Sequence, residues 1–157
     1  MNEITPCLWF DTEGEDAATL YTSVFPNSRI LSISRYGSAG PRTEGTVMTV
    51  SFELGGQKFL ALNGGPNYTF SEAISFQVSC KNQEEVDHFW NNLSDGGEEG
   101  PCGWIKDRFG VSWQIVPTAL PELLGDPDPE KSRRVMEAML QMKKLEIDVL
   151  ERAAEAA

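Results

Sequence analysis

Apolar and polar positions along this chain change period twice, and the changes come in the same order each time. ITPCLWF, residues 4–10, is a short apolar run that predicts a buried strand. Across DTEGEDAATLYTSVFP, Ala17, Ala18, Tyr21, Val24 and Phe25 recur at helical spacing. Glu15 and Asp16 suit the first turn of that helix, and Pro26 ends it. RILSISRYG then alternates as a strand does. EGTVMTVSFELGG is a longer strand, with Val47, Thr49, Ser51 and Glu53 on one side and Met48, Val50, Phe52 and Leu54 on the other. Gly55-Gly56 turns it into a hairpin with QKFLALNGG.

The order then restarts. AISFQVSC predicts a strand with Ile74, Phe76, Val78 and Cys80 on one face. NQEEVDHFWNNL predicts a helix striped by Val86, Phe89, Trp90 and Leu93, with Asn82 as N-cap and Glu85 completing a capping-box-like pair. Residues 96–103 form a glycine-rich loop with room for a short edge strand. GWIKDRFG and VSWQIVP predict two last strands joined by a turn at Asp107–Gly110. Ala17 corresponds to Val86 and Leu20 to Phe89, both 69 apart, and Ile4 to Ile74 at 70, so the repeat is one of pattern rather than identity. Each half is expected to be a small curved sheet with one helix on its outer face, the two closing a shared cup. After Pro117, ALPELLGDPDPE reads as a linker or short helix. The rest reads as one long helix striped by Val135, Ala138, Met139, Met142, Leu145 and Val149.

Composition narrows the partners. The chain has 157 residues, 40% of them hydrophobic and 24% charged, enough to bury a core. Acidic residues outnumber basic ones, 24 against 13, for a net charge of −11 without an acidic tail or basic patch. Nucleic acids and anionic membrane surfaces are poor partners for such a surface. Lys131, Arg133 and Arg134 share their helix with Glu130 and Glu137 and read as a solvated face. The N-terminus lacks the pattern of a signal peptide, and no apolar run approaches the ~20 residues that cross a bilayer. Cys7, Cys80 and Cys102 are odd in number and include no CxxC pair, as expected of a cytoplasmic protein with reduced thiols.

Three segments together, ITPCLWFDTEGEDAATLYTSVFPNSRI, FELGGQKFLALNGGP and PCGWIKDRFGVSWQIVP, resemble the PhnB-like branch of the vicinal oxygen chelate superfamily. This is the glyoxalase, bleomycin-resistance and dioxygenase group, and within it the chain is most similar to proteins labelled 3-demethylubiquinone-9 3-methyltransferase. The resemblance covers about residues 3–117. It implies an α+β fold of paired βαβββ modules forming a cupped mixed sheet, commonly in a homodimer. Module one is then about 3–65 and module two about 72–117, in a single domain over 1–120, with a linker and long C-terminal helix over 121–157. Metal-dependent relatives place His, Glu or Gln at four strand positions, which the resemblance carries onto Pro6, the stretch Leu60–Asn63, Ser75 and Gln114. Proline offers no donor, and Ser75 and Gln114 are weak neutral ones, so no metal is expected. His88, the only histidine, lies on the second helix. NGGPN follows a hairpin strand and GGEEG follows a helix, so both read as loops and no methyl-donor or other cofactor is expected.

Site residues are sought where strands face the cup. Gln114 and Trp113 are adjacent and point to opposite faces, and the family position favours Gln114. Trp104, Lys106 and Arg108 alternate on the preceding strand and offer an aromatic wall with positive charge, the alternative for Arg108 being a pair with Asp107 or a neighbouring acid in the turn. Trp9, Tyr36 and Asn63 are further candidates for the lining. Cys102 lacks a basic partner, and Glu84-Glu85 and Glu98-Glu99 read as solvated acids. No catalytic residue is assigned. The leading expectation is a metal-free binder of an apolar or aromatic small molecule. The alternatives are a metal-independent enzyme, including the methyltransferase of the family label, with Glu53 or a residue of 98–108 as acid or base, and a regulatory partner protein acting through its C-terminal helix.

Overall fold

Leu8 and Phe10 are the buried positions of β1 (Cys7–Phe10), and Ile4, read as part of the same strand, lies outside it and exposed. Helix α1 (Gly14–Val24) follows and buries Ala17, Ala18, Tyr21 and Val24. Strands β2 (Ser28–Arg35), β3 (Val47–Leu54) and β4 (Gln57–Asn63) complete a sheet in the order β1-β4-β3-β2. β1 runs parallel to β4, and the other pairs are antiparallel. The alternation of β3 holds, with Val50, Phe52 and Leu54 buried on the face that α1 covers. Phe52 and Phe59 stand opposite each other in the register and stack with ring centroids 5.4 Å apart.

These elements are one compact unit in a computed structural model that describes residues 1–156; the unit ends at Phe70 and a second begins at Ser71. The second repeats the order with shorter strands: β5 (Phe76–Cys80), α2 (Gln83–Ser94), β6 (Glu98–Glu99), β7 (Trp104–Lys106) and β8 (Ser112–Pro117). Its sheet order is β5-β8-β7-β6, again with the first and last strands parallel. So the βαβββ module occurs twice, giving two mixed four-stranded sheets. The cap of α2 forms as expected on one side, where Asn82 Oδ1 accepts the Glu85 N–H at 2.9 Å. Glu85 reaches back one residue further than a strict capping box, accepting the Lys81 N–H at 2.7 Å.

The long C-terminal helix is not one helix. Three occur there: α3 (Ala119–Leu124), α4 (Pro129–Leu140) and α5 (Ile147–Glu155). Residues 141–146 are good helix formers, yet tertiary contacts claim their backbone. The carbonyls of Met142 and Lys143 accept N–H groups from Cys102 and Gly103 at 2.9 and 2.8 Å. Gln83 on α2 clasps the same stretch, donating to Leu145 O and accepting from Ile147 N. Breaking the helix lets Leu145 enter the core and shifts the phase, so that Leu150 and Ala154 are buried rather than Val149. Val116, Leu120, Val135, Leu145, Leu150 and Ala154 form one apolar cluster, so the tail is integral to the second unit. No helix among the described residues is long and apolar enough to cross a membrane.

Candidate functional site

Strand register in the second unit sorts side chains onto two faces. Trp113 and Ile115 are buried, and Phe76 lies opposite Trp113 with ring centroids 5.5 Å apart. Glu99 belongs to that face too, accepting the indole N–H of Trp90 from α2 at 2.9 Å. The intervening residues face away from α2. Glu98 pairs with Lys106, and Lys106 with Ser112, so one column crosses three strands. Trp104, Gln114 and Gln77 form the next column. Beside these lies a cleft of about 390 Å³ whose lining includes Glu72, Glu98, Trp104, Lys106 and Ser112.

Charges in the cleft are coupled. Lys106 Nζ is bonded to Glu72 Oε1. That bond holds the Glu72 carboxyl below the usual carboxylate range and raises the Lys106 ammonium, to which the nearby Glu98 charge also contributes. Ser112 is 2% exposed, and its Oγ has no hydrogen-bond partner.

Of the six residues expected to line a site, Gln114 and Trp104 lie on this face, paired in register. Gln114 and Trp113 point to opposite faces, the Trp113 indole donating to the buried Asp107 at 2.9 Å on the α2 side, and Gln114 lies beside the cleft rather than in its lining. Gln114 Nε2 donates to Ser75 Oγ at 2.8 Å. Arg108 does not share the face of Trp104 and Lys106, since β7 stops at Lys106 where Asp107 Oδ1 accepts the N–H groups of Phe109 and Val111. Its guanidinium instead meets Asp95, bonding the carbonyl and the carboxylate at 3.1 Å each.

The other three belong to the first unit. Asn63 is buried on the α1 side, where Oδ1 accepts the Gly14 N–H at 2.8 Å and Nδ2 donates to Thr12 O and Val47 O. Tyr36 donates its hydroxyl to Asn63 O at 2.6 Å. Trp9 faces away from α1, donates to Gly65 O at 2.9 Å and meets Tyr68 edge to face. All three therefore fasten the ends of β1 and β4. Glu72 and Ser112 were not singled out from sequence. Ser112 was legible in principle, because it shares the parity of Gln114 on one strand; Glu72 lies outside any strand and carries no such signal.

The positions carried over from metal-dependent relatives do not fit a divalent ion. In the first unit, Leu60 and Leu62 share the face of Trp9 and offer no donor, while Asn63, the one polar side chain of that stretch, is turned to α1. Pro6 contributes only its carbonyl, which accepts the Leu60 N–H at 2.9 Å. In the second unit, Ser75 and Gln114 are neutral and bonded to each other. Among the described residues, no three His, Cys, Asp or Glu side chains gather where they could hold a metal. The glycine-rich loops do not fit a nucleotide-type cofactor either. A Cβ on Gly64 would run into the Trp9 indole, and one on Gly97 into Lys106 O, so these glycines serve packing within the fold.

The family model described as 3-demethylubiquinone-9 3-methyltransferase matches residues 2–116. The chain belongs to this family. It lies in the PhnB-like branch of the vicinal oxygen chelate superfamily, as its motifs imply. A PhnB protein from Bacillus cereus is 37% identical, with a TM-score of 0.67, covering 74% of this chain and 100% of its own. A protein from Pseudomonas aeruginosa shares the fold at 18% identity and a TM-score of 0.63, covering 74% of this chain and 98% of its own. The fosfomycin resistance protein FosX from Listeria monocytogenes, in complex with Mn(II) and sulfate, shares the fold at 12% identity and a TM-score of 0.51, over 74% of this chain and 89% of its own. No curated protein matches the chain.

Proposed function

We propose that this family member binds a small organic molecule in the cleft of its second unit, without a metal. The observation that carries this reading is the Trp104 side of the sheet. An aromatic wall, a coupled Lys106–Glu72 pair and the buried Ser112 hydroxyl converge on one concave lining. A few polar groups set in a mainly apolar hollow are what small-ligand sites present. The neutral Gln114–Ser75 pair, where relatives of the fold place metal ligands, supports binding over Lewis-acid chemistry. Three free thiols agree with a reducing cytoplasm, and the branch resemblance favours a homodimer.

Chemical-shift mapping of the full chain against a fragment library tests the site. Perturbations are expected to centre on the Trp104 indole and the Ser112 amide; a response confined to other surfaces overturns the assignment. Elemental analysis of protein purified without chelator is expected to find less than about 0.1 equivalents of zinc, nickel, manganese or iron. More than about 0.5 equivalents, lost in Gln114→Ala, would contradict the metal-free reading. Sedimentation is expected to return twice the chain mass of 17.4 kDa, and a monomer at micromolar concentration would reject the dimer.

A further inference from the structure

A buried hydroxyl without a partner costs about 1–3 kcal/mol, and native proteins keep few of them. Ser112 is such a group, at the start of a strand whose next five residues include Trp113, Ile115 and Val116. Alanine would fill the position without that cost. Ser112 lies on the same face as Lys106, directly opposite it in the register, and is one of the residues lining the cleft, with its hydroxyl buried. Its oxygen can accept two hydrogen bonds and donate one.

The charges around it are unequal. Three carboxylates, Glu72, Glu98 and Glu99, and one ammonium, Lys106, line the cleft. Lys106 is already bonded to Glu72, and Glu99 accepts from Trp90. Glu98, in register with Lys106, shares with Glu72 the one ammonium of that lining. An arriving anion therefore meets surplus negative charge and a cation that is already paired. A positive ligand meets Glu98 and the face of Trp104, whose ring quadrupole attracts cations.

We infer that the cleft takes a flat organic cation, an aromatic amine protonated at neutral pH, in preference to the matching neutral or anionic compound. The ring lies against Trp104, the ammonium group sits toward Glu98, and one of its N–H groups donates to Ser112 Oγ. This inference rests on the small-molecule reading of the same cleft.

Three probes of one shape separate the possibilities: 2-naphthylmethylammonium, 2-naphthylmethanol and 2-naphthoate, titrated into the full chain by calorimetry and ligand-observed NMR. The ammonium compound is expected to bind about tenfold more tightly than the alcohol and more tightly still than the carboxylate. Glu98→Gln is expected to cut that preference to about threefold or less while leaving the alcohol unchanged. Ser112→Ala is expected to weaken the ammonium compound about fivefold, with an unchanged or higher melting temperature because the unpaired hydroxyl is gone. Equal binding of all three probes, or tighter binding of the carboxylate, overturns the cation preference and leaves the cleft reading standing. Binding of none of them, as would follow if Ser112 merely holds a water, overturns both.

Discussion

Asp107 shows how much one side chain can organise. Its buried carboxylate accepts three hydrogen bonds, from Phe109 N, Val111 N and Trp113 Nε1, at 2.9–3.0 Å. The first two shape the turn between β7 and β8, and the third fixes Trp113 on the α2 side. That choice leaves Gln114 and Ser112 on the cleft side. Asp107→Ala would strand all three donors, and a loss of about 3 kcal/mol is expected in urea denaturation. If the turn also sets the cleft, the same substitution weakens probe binding although Asp107 does not line it. Asn63 plays a comparable part in the first unit. Helix α1 has no capping side chain at Glu13, and Asn63 supplies the missing acceptor from across the sheet. Gly14 is needed there because a Cβ would meet Asn63 Oδ1 at 2.6 Å.

At the level of elements, the join between α4 and α5 is irregular in backbone yet held by specific bonds. Gln83 bonds its backbone twice, and Lys144 Nζ meets Asp87 Oδ1 at 2.8 Å. Gln83→Ala should leave the Ile147 N–H at the start of α5 without its acceptor. Hydrogen exchange over residues 144–150 is expected to quicken about tenfold, with little change in the first unit. The ion pair carries a pH dependence. The Asp87 carboxyl is held below the usual carboxylate range, first by its hydrogen bond to Lys144. A depressed folded value means the pair's contribution is present above the ordinary carboxylate pKa and is lost as pH falls through the lower one. Asp87→Asn is therefore expected to flatten the acid limb of stability against pH, measured by chemical denaturation between about pH 5 and pH 2. An unchanged limb would show that solvent screens the pair completely. At the other end of α5, Arg134 donates to the carbonyls of Ala153 and Ala154 at 2.9 and 2.8 Å, so one of the cations read as surface dressing is a helix cap.

For the whole molecule, the tail is best understood as the part that completes the second unit. The second module's strands are short, β6 having two residues and β7 three, and such strands make a small core. Leu120, Val135, Leu145 and Leu150 add the apolar volume that they lack, each side chain worth about 1.5–3 kcal/mol when buried. Deleting residues 130–157 removes most of that cluster and leaves the N–H groups of Cys102 and Gly103 without acceptors. The truncated chain is expected to melt at least about 10 °C lower and to bind a hydrophobic dye. Retention of the full melting temperature would instead favour the tail as a detachable partner-binding segment. The surplus of acid, −11 overall, stays mostly at the surface, and only around Glu98 and Glu72 does it bear on the candidate ligand.

Much of this architecture was written in local periods. Alternation at two residues determined which face Val50, Phe52 and Leu54 present, and set Gln114 against Trp113. Helical spacing determined the buried stripes of α1 and α2. These patterns need only a residue's near neighbours, so the duplicated βαβββ order followed from sequence by itself, whereas the family's metal positions reached Pro6, Ser75 and Gln114 only through the resemblance. What tertiary structure alone decided involves groups far apart along the chain. The helix break at 141–146 arises because Cys102, Gly103 and Gln83 claim backbone that would otherwise be helical. Arg108 finds Asp95 rather than the cleft, and Glu72 reaches Lys106 from outside any strand. Buried and half-buried polar groups must find partners wherever the fold brings them, and no period records that demand. Among the described residues, the Ser112 hydroxyl is where the demand goes unmet, and that is why the candidate site is placed there.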